Sequence, residues 1–160
     1  MGDFINTVDV IGDNELTDNI ISRSVAEYYD DSITSIGYNA FRECSALTSV
    51  NVPNVTTIDM YAFRKCSNLT SVDLSRTTSF IAQAFNDCTK FNTLVLRSTT
   101  ICTIAATSVF SLTPFNTSGQ GGTVYVPQAL IEEYQNATNW STLYAKGTCN
   151  FVAIEGSEYE

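Results

Sequence analysis

The stretch TSIGYNAFRECSALTSVNVPNV, Thr34 to Val55, is followed without a gap by TTIDMYAFRKCSNLTSVDLSRT (56–77) and TSFIAQAFNDCTKFNTLVLRST (78–99). Ala40-Phe41, Ala62-Phe63 and Ala84-Phe85 recur at a period of 22, and Cys44, Cys66 and Cys88 keep the same step. A fixed period of this length is the mark of a solenoid. The apolar positions stay apolar in register: Ile36, Ile58, Phe80; Leu47, Leu69, Phe91; Val50, Val72, Leu94; Val52, Leu74, Leu96. Volume drifts while hydrophobicity holds, as it does in interior columns where each unit buries its apolar side only against a neighbour.

Within a unit, Val50-Asn51-Val52 and Val72-Asp73-Leu74 alternate apolar and polar, the period of a strand with one wet face. These segments are expected to lie parallel in one sheet. The Ala-Phe-x-x-Cys stretch reads as a tight helical or 3₁₀ turn on the far side, with three stacked phenylalanines as its spine and Phe63, flanked on both sides, the costliest to lose. Glu43, Lys65 and Asp87 share one position with alternating sign and read as a surface charge ladder.

The unit resembles the BspA-like leucine-rich repeat, whose pattern runs roughly I-x-x-x-A-F-x-x-C-x-x-L-x-x-V-x-I-P. Ile36, Ala40, Phe41, Cys44, Leu47, Val50, Val52 and Pro53 meet it, and residues 58–74 meet it again. The third unit departs at Phe80 and Phe91, and Ser75 and Arg97 stand where the first has Pro53. The resemblance implies an α/β solenoid: a short right-handed coil with a parallel sheet, three 22-residue repeats at 34–99, and helical end caps within a single domain. Residues 1–33 form the N-terminal cap in this reading, and 100–160 a degenerate repeat with the C-terminal cap.

In the first cap, Phe4, Ile5, Val8, Val10 and Ile11 suggest a short strand, and Ile21, Val25 and Tyr28 fall on one face of a helix from about Thr17. Beyond the repeats, a 22-step carries the register to Cys102 and Ala106, below Phe80 and Ala84. Gly119-Gln120-Gly121-Gly122 reads as a plain turn into a strand at Thr123–Val126, because no Lys-Ser or Lys-Thr follows to make it a phosphate loop. Pro127, Glu132 and Glu133, with Leu130, Tyr134 and Ala137 on one face, specify a terminal helix; Cys149–Ile154 reads as a last strand, and Gly156 onward as an acidic tail. The run from Val126 to Ser141 also resembles the closing segment of such repeat proteins, including ones encoded by bacteriophages.

Composition narrows the chemistry. The chain has no histidine, so Ser-His and Cys-His nucleophile pairs are excluded, and no S-x-x-K occurs. Asp59, Asp73 and Asp87 sit at different repeat positions and do not form a carboxylate pair. Five cysteines without a C-x-x-C pair read as buried free thiols, with no metal and no cofactor expected. Residues 1–31 hold eight acids against Arg23 alone, −7 of a net −9, so nucleic acid and anionic membranes are repelled over most of the surface. No apolar stretch is long enough for membrane insertion, and no signal peptide precedes the repeats.

What is left is surface. The outward residues of the repeat strands, Ser49, Asn51, Ser71, Asp73, Thr93, Val95 and Arg97, joined by Thr123 and Tyr125, make a polar platform and the candidate ligand-binding face. With the resemblance, they imply a non-enzymatic recognition or adhesion module binding protein or glycan on a virion or extracellular surface. A bacteriophage decoration or fibre protein is the first expectation, a bacterial adhesin or a ligand-free scaffold the alternatives, and the oligomeric state is open.

Overall fold

The computed structural model of the chain describes residues 10–11 and 25–160. Among the described residues eleven strands form two parallel sheets, and the first ten alternate between them as the chain coils: β1 (Val10–Ile11), β2 (Glu27–Tyr29), β3 (Ser35–Ile36), β4 (Ser49–Asn51), β5 (Thr57–Ile58), β6 (Ser71–Leu74), β7 (Ser79–Phe80), β8 (Thr93–Leu96), β9 (Thr103–Ile104), β10 (Gly122–Val126) and β11 (Cys149–Ala153). One sheet runs β1-β3-β5-β7-β9, the other β11-β10-β8-β6-β4-β2. Val50 lies beside Val72 and Val72 beside Leu94, and on the opposite side Ile36 lies beside Ile58 and Ile58 beside Phe80. The stacked columns expected from the 22-residue period are therefore the core. The second sheet is an addition, since strands of two residues leave no alternation to read.

Between the sheets the Ala-Phe-x-x-Cys segments form a third, denser ladder. Ala40, Arg42 and Cys44 donate their N–H to carbonyls three residues back, while Asn39, Phe41 and Glu43 donate to Met60, Ala62 and Arg64 of the next coil. Aiming alternate amides at the neighbour puts Asn39, Tyr61 and Gln83 (φ 60, 60, 62°) and Glu43, Lys65 and Asp87 (φ 62, 62, 65°) in the left-handed region. The phenylalanine spine is stacked as expected, Phe41 to Phe63 at 5.0 Å and Phe63 to Phe85 at 5.2 Å between ring centroids. It extends to Phe110 at 5.9 Å from Phe85, and Tyr28 closes the other end edge-on against Phe41.

Two expectations need correction. Tyr28 is not on a helix: β2 pairs with β4 so that Tyr28 lies beside Val50, one repeat earlier, and stacking begins before Thr34. The strand and helix expected before Val25 fall outside the described residues, except that β1 pairs with β3. The second correction is beyond the repeats, where Ile104 rather than Cys102 lies beside Phe80, and Val109-Phe110 rather than Ala106 takes over from Ala84-Phe85. Two residues are inserted between β8 and β9, and a third between β9 and the 3₁₀ turn at Thr107–Phe110.

Gly119 (φ 79°) supplies the turn before β10, while Gly122 lies against the Phe115 ring, where a Cβ would collide. The terminal helix is two short ones, α1 (Ile131–Asn136) and α2 (Trp140–Ala145), preceded by a 3₁₀ turn at Gln128–Leu130. Tyr134, Trp140 and Leu143 are fully buried. The Tyr134 hydroxyl accepts the Cys102 N–H (2.8 Å), and the Trp140 ring N–H donates to the Cys102 carbonyl (2.7 Å), so both polar tips are satisfied inside the core.

Candidate functional site

The outer face of the six-stranded sheet carries two rows of side chains in strand register. One reads Glu27, Ser49, Ser71, Thr93, Thr123 and Asn150; the other reads Tyr29, Asn51, Asp73, Val95, Tyr125 and Val152. Eight of the nine expected site residues (Ser49, Ser71, Thr93 and Thr123 in the first row, Asn51, Asp73, Val95 and Tyr125 in the second) thus lie in continuous rows. Arg97 follows β8 and reaches back across the face.

Val95 is nevertheless only 1% exposed, which removes it from the surface as a contact residue. The cause is the chain's own C-terminus. The Arg97 guanidinium grips Asp73 through both oxygens (Nε to Oδ1 2.8 Å, Nη2 to Oδ2 2.9 Å) and donates a third bond to the Tyr159 carbonyl (2.7 Å). The Tyr159 ring packs on Tyr125 at 4.5 Å. Residues expected to be a free acidic tail instead strap the sheet, and Asp73, Arg97 and Tyr125 are committed to holding the strap.

What stays open is a shallow groove of about 400 Å³, lined by Glu27, Tyr29, Ser49, Asn51, Ser71, Asp73 and Tyr159. Tyr29 stands at one end, 65% exposed, and Tyr159 closes the other. Tyr159 packs on Tyr125 of β10, four strand spacings from the β2 of Tyr29, about 19 Å. The short hydroxyls and the Asn51 amide make the floor. Glu27, Tyr29 and Tyr159 were missed by sequence reasoning, although Glu27-Tyr28-Tyr29 precedes Ser49-Val50-Asn51 by one period.

The electrostatics of the groove keep its phenols neutral. Asp31 raises the Tyr29 pKa through its charge, with a hydrogen bond from the phenol (3.4 Å), and burial followed by Glu158 raises that of Tyr159. The bond to Asp73 raises the Arg97 pKa, holding its charge. The free end is acidic, with Glu27, Asp30 and Asp31 beside Tyr29.

No chemistry resides in the cysteines. All five are unbridged and buried, and Cys66 and Cys88 donate their thiols to the carbonyls of Phe41 and Phe63 (2.9 Å each). Burial pushes Cys149 up to about 12 and raises Cys66 and Cys102 strongly, the opposite of an activated thiol. Of the charge ladder, Glu43 and Lys65 are 3.7 Å apart on the surface. No three His, Cys, Asp or Glu among the described residues are grouped to hold a metal, and no helix there is long and apolar enough to cross a membrane.

A coil of parallel strands with an aromatic spine, a hydrogen-bonded turn ladder and one open sheet face defines a leucine-rich-repeat solenoid. Residues 9–122 match the family model of the BspA-type leucine-rich repeat region in six copies, and the chain belongs to that family. Such repeats are generally non-enzymatic, protein-binding or adhesion modules and are typically surface-associated. A search of curated proteins gives no match.

Proposed function

We propose that this chain is a surface-displayed, non-enzymatic recognition module that holds a protein segment or a glycan in the groove between Tyr29 and Tyr159. The observation that carries the reading is the pairing of a 65%-exposed tyrosine with an amide and hydroxyl floor on a rigid sheet. An aromatic face packs against an apolar surface or a sugar ring, while Ser49, Asn51 and Ser71 exchange hydrogen bonds with hydroxyls or peptide groups. Glu27, Asp30 and Asp31 favour neutral or cationic ligands and repel nucleic acid and acidic glycans. The carrier is a virion decoration or fibre protein, or a bacterial adhesin.

Tyr29→Ala and Asn51→Ala are the variants to test, because Asp73, Arg97 and Tyr125 hold the strap and their loss would confound binding with folding. Immobilised neutral and acidic oligosaccharides, and intact host and bacterial cells, are the probes. At least a tenfold loss of binding in each folded variant is expected. Binding unchanged in both variants, with neutral and acidic probes bound alike, would sink the groove as the recognition site.

A further inference from the structure

The covered end of the six-stranded sheet is a subsite with an occupant already in it. Val95, Tyr125 and Val152 stand side by side in one outward row of β8, β10 and β11 and form an apolar floor. At its rim Asp73 takes two of the Arg97 guanidinium nitrogens, Nε and Nη2, which fixes the group and leaves Nη1 for another acceptor. That acceptor is the main-chain carbonyl of Tyr159, whose ring lies on Tyr125 at 4.5 Å. An aromatic side chain on an apolar floor and a peptide carbonyl on a clamped arginine are the means by which a protein surface holds a protein segment.

The occupant is lightly attached. After a reversal at Gly156 (φ 80°), residues 156–160 close on themselves: the Gly156 N–H donates to the Glu160 carboxylate (2.8 Å), the Tyr159 N–H to the Ser157 hydroxyl (3.1 Å) and the Glu160 N–H to the Ser157 carbonyl (3.3 Å). Among the described residues, the bond from Arg97 is the one hydrogen bond that ties this turn to the outer face. Gly156, Glu158 and Glu160 are exposed. The sheet does not need the turn for its own pairing, since β8, β10 and β11 bond to one another without it.

We infer that the subsite of Val95, Tyr125 and Arg97 is a docking surface for a tyrosine-bearing segment of a partner protein, and that the strap is its resident competitor, displaced when the partner binds. The inference deepens the recognition reading by choosing a protein segment over a glycan, and it stands on the covered end of the face rather than on Tyr29 or Asn51. Strap and partner cannot both stack on Tyr125 or both take the Nη1 of Arg97. Displacing the strap joins its subsite to the open groove, from Tyr29 on β2 to Val152 on β11, five strand spacings or about 24 Å. The partner's apparent affinity is then lowered by the fraction of molecules whose strap is shut.

Titrating isotope-labelled protein with the hexapeptide EGSEYE, residues 155–160, and following the amide shifts by NMR decides the matter. The chain ending at Gly156 should bind it with a Kd of about 1 mM, as befits one anchoring side chain, with shifts centred on Val95, Arg97 and Tyr125. The full chain should bind it at least about tenfold more weakly, and the same peptide with alanine in place of tyrosine should not bind. Tyr159→Ala keeps the whole sheet and releases the strap, so it should behave as the shortened chain does and decides the question if that chain does not fold. No binding to either strap-released chain, equal binding to the full chain, equal binding of the alanine peptide, or a neutral oligosaccharide shifting these amides where the peptide does not, each overturns the inference. Shifts confined to Tyr29 and Asn51 would overturn it too and leave the open groove as the site, so the two readings fail separately.

Discussion

Phe85 is the residue on which most of the aromatic core leans. It stacks on Phe63 and Phe110, and it also meets Phe91 at 4.7 Å and Phe80 edge-on at 5.4 Å. Phe63 has only its two spine neighbours among ring contacts, so the departures at Phe80 and Phe91 move the hinge of the core one coil along. Phe85→Ala should therefore cost about 4–5 kcal/mol and Phe63→Ala about 3–4. Urea titrations that rank them the other way contradict this account. Lys65 offers a test of opposite sign. At φ 62° a side chain costs about 1–2 kcal/mol and glycine about 0.5–1 in unfolded-state entropy. Lys65→Gly should be neutral or stabilising by up to about 1 kcal/mol, and Lys65→Val destabilising by about 1–2, the β-branch being least tolerant of that backbone. Equal stabilities for the two would show that the left-handed turn is unstrained.

At the scale of elements, the strap joins regions that no local pattern connects. A chain ending at Gly156 loses Tyr159 from Tyr125 and uncovers Val95, which should lower stability by about 1–3 kcal/mol, the worth of one buried valine. The Arg97–Asp73 pair survives that truncation half-exposed and adds little, about 0–1 kcal/mol. Thermal unfolding of the truncated chain checks this, and an unshifted midpoint would mean the strap does not cover the sheet in solution. The same long connection explains why Val95 was misplaced from sequence: its cover comes from Tyr159, 62 residues beyond Arg97 in the chain. Strands β4 and β6 were legible because apolar and polar residues alternate across them, as were β10 and β11 at the far end. Tyr28 fits both a helical i+4, i+7 spacing and the column of Val50, and only the 22-residue offset distinguishes the two. The threonines carried the same period unread. Thr48 and Thr70 bond back to the carbonyls of Ala26 and Thr48, as Thr56 and Thr78 do to Thr34 and Thr56, so hydroxyls stitch each coil to the one before.

For the whole molecule, the buried thiols make stability depend on alkaline pH. An unfolded cysteine ionises near 9.0, whereas folding raises Cys66 and Cys102 strongly and Cys149 to about 12, in each case because burial penalises the thiolate. Below pH 9 both states hold these protons and the full stability is present. Above it the unfolded chain binds fewer protons than the folded one, so the unfolding free energy must fall as pH rises toward the folded values. Each thiol contributes about 1.4 kcal/mol per pH unit, and the three together about 4. A domain with about 5–15 kcal/mol in hand should then unfold within about one to four pH units above 9, with Tyr28 and Tyr134, whose pKa values burial also raises, joining above 10. Repulsion among the carboxylates is established by pH 8 and adds no slope between pH 9 and 10, because no further carboxylate ionises there. Urea midpoints measured at pH 8, 9, 10 and 11 should decline steeply from 9 onward. Cys66→Ala/Cys102→Ala/Cys149→Ala, even if less stable at pH 8, should lose most of the decline between pH 9 and 10, since alanine has no proton to give up, and keep the tyrosine part above 10. A midpoint that stays level to pH 11, or a triple variant that falls as steeply as the parent, would mean that the thiols are not held in a dry core.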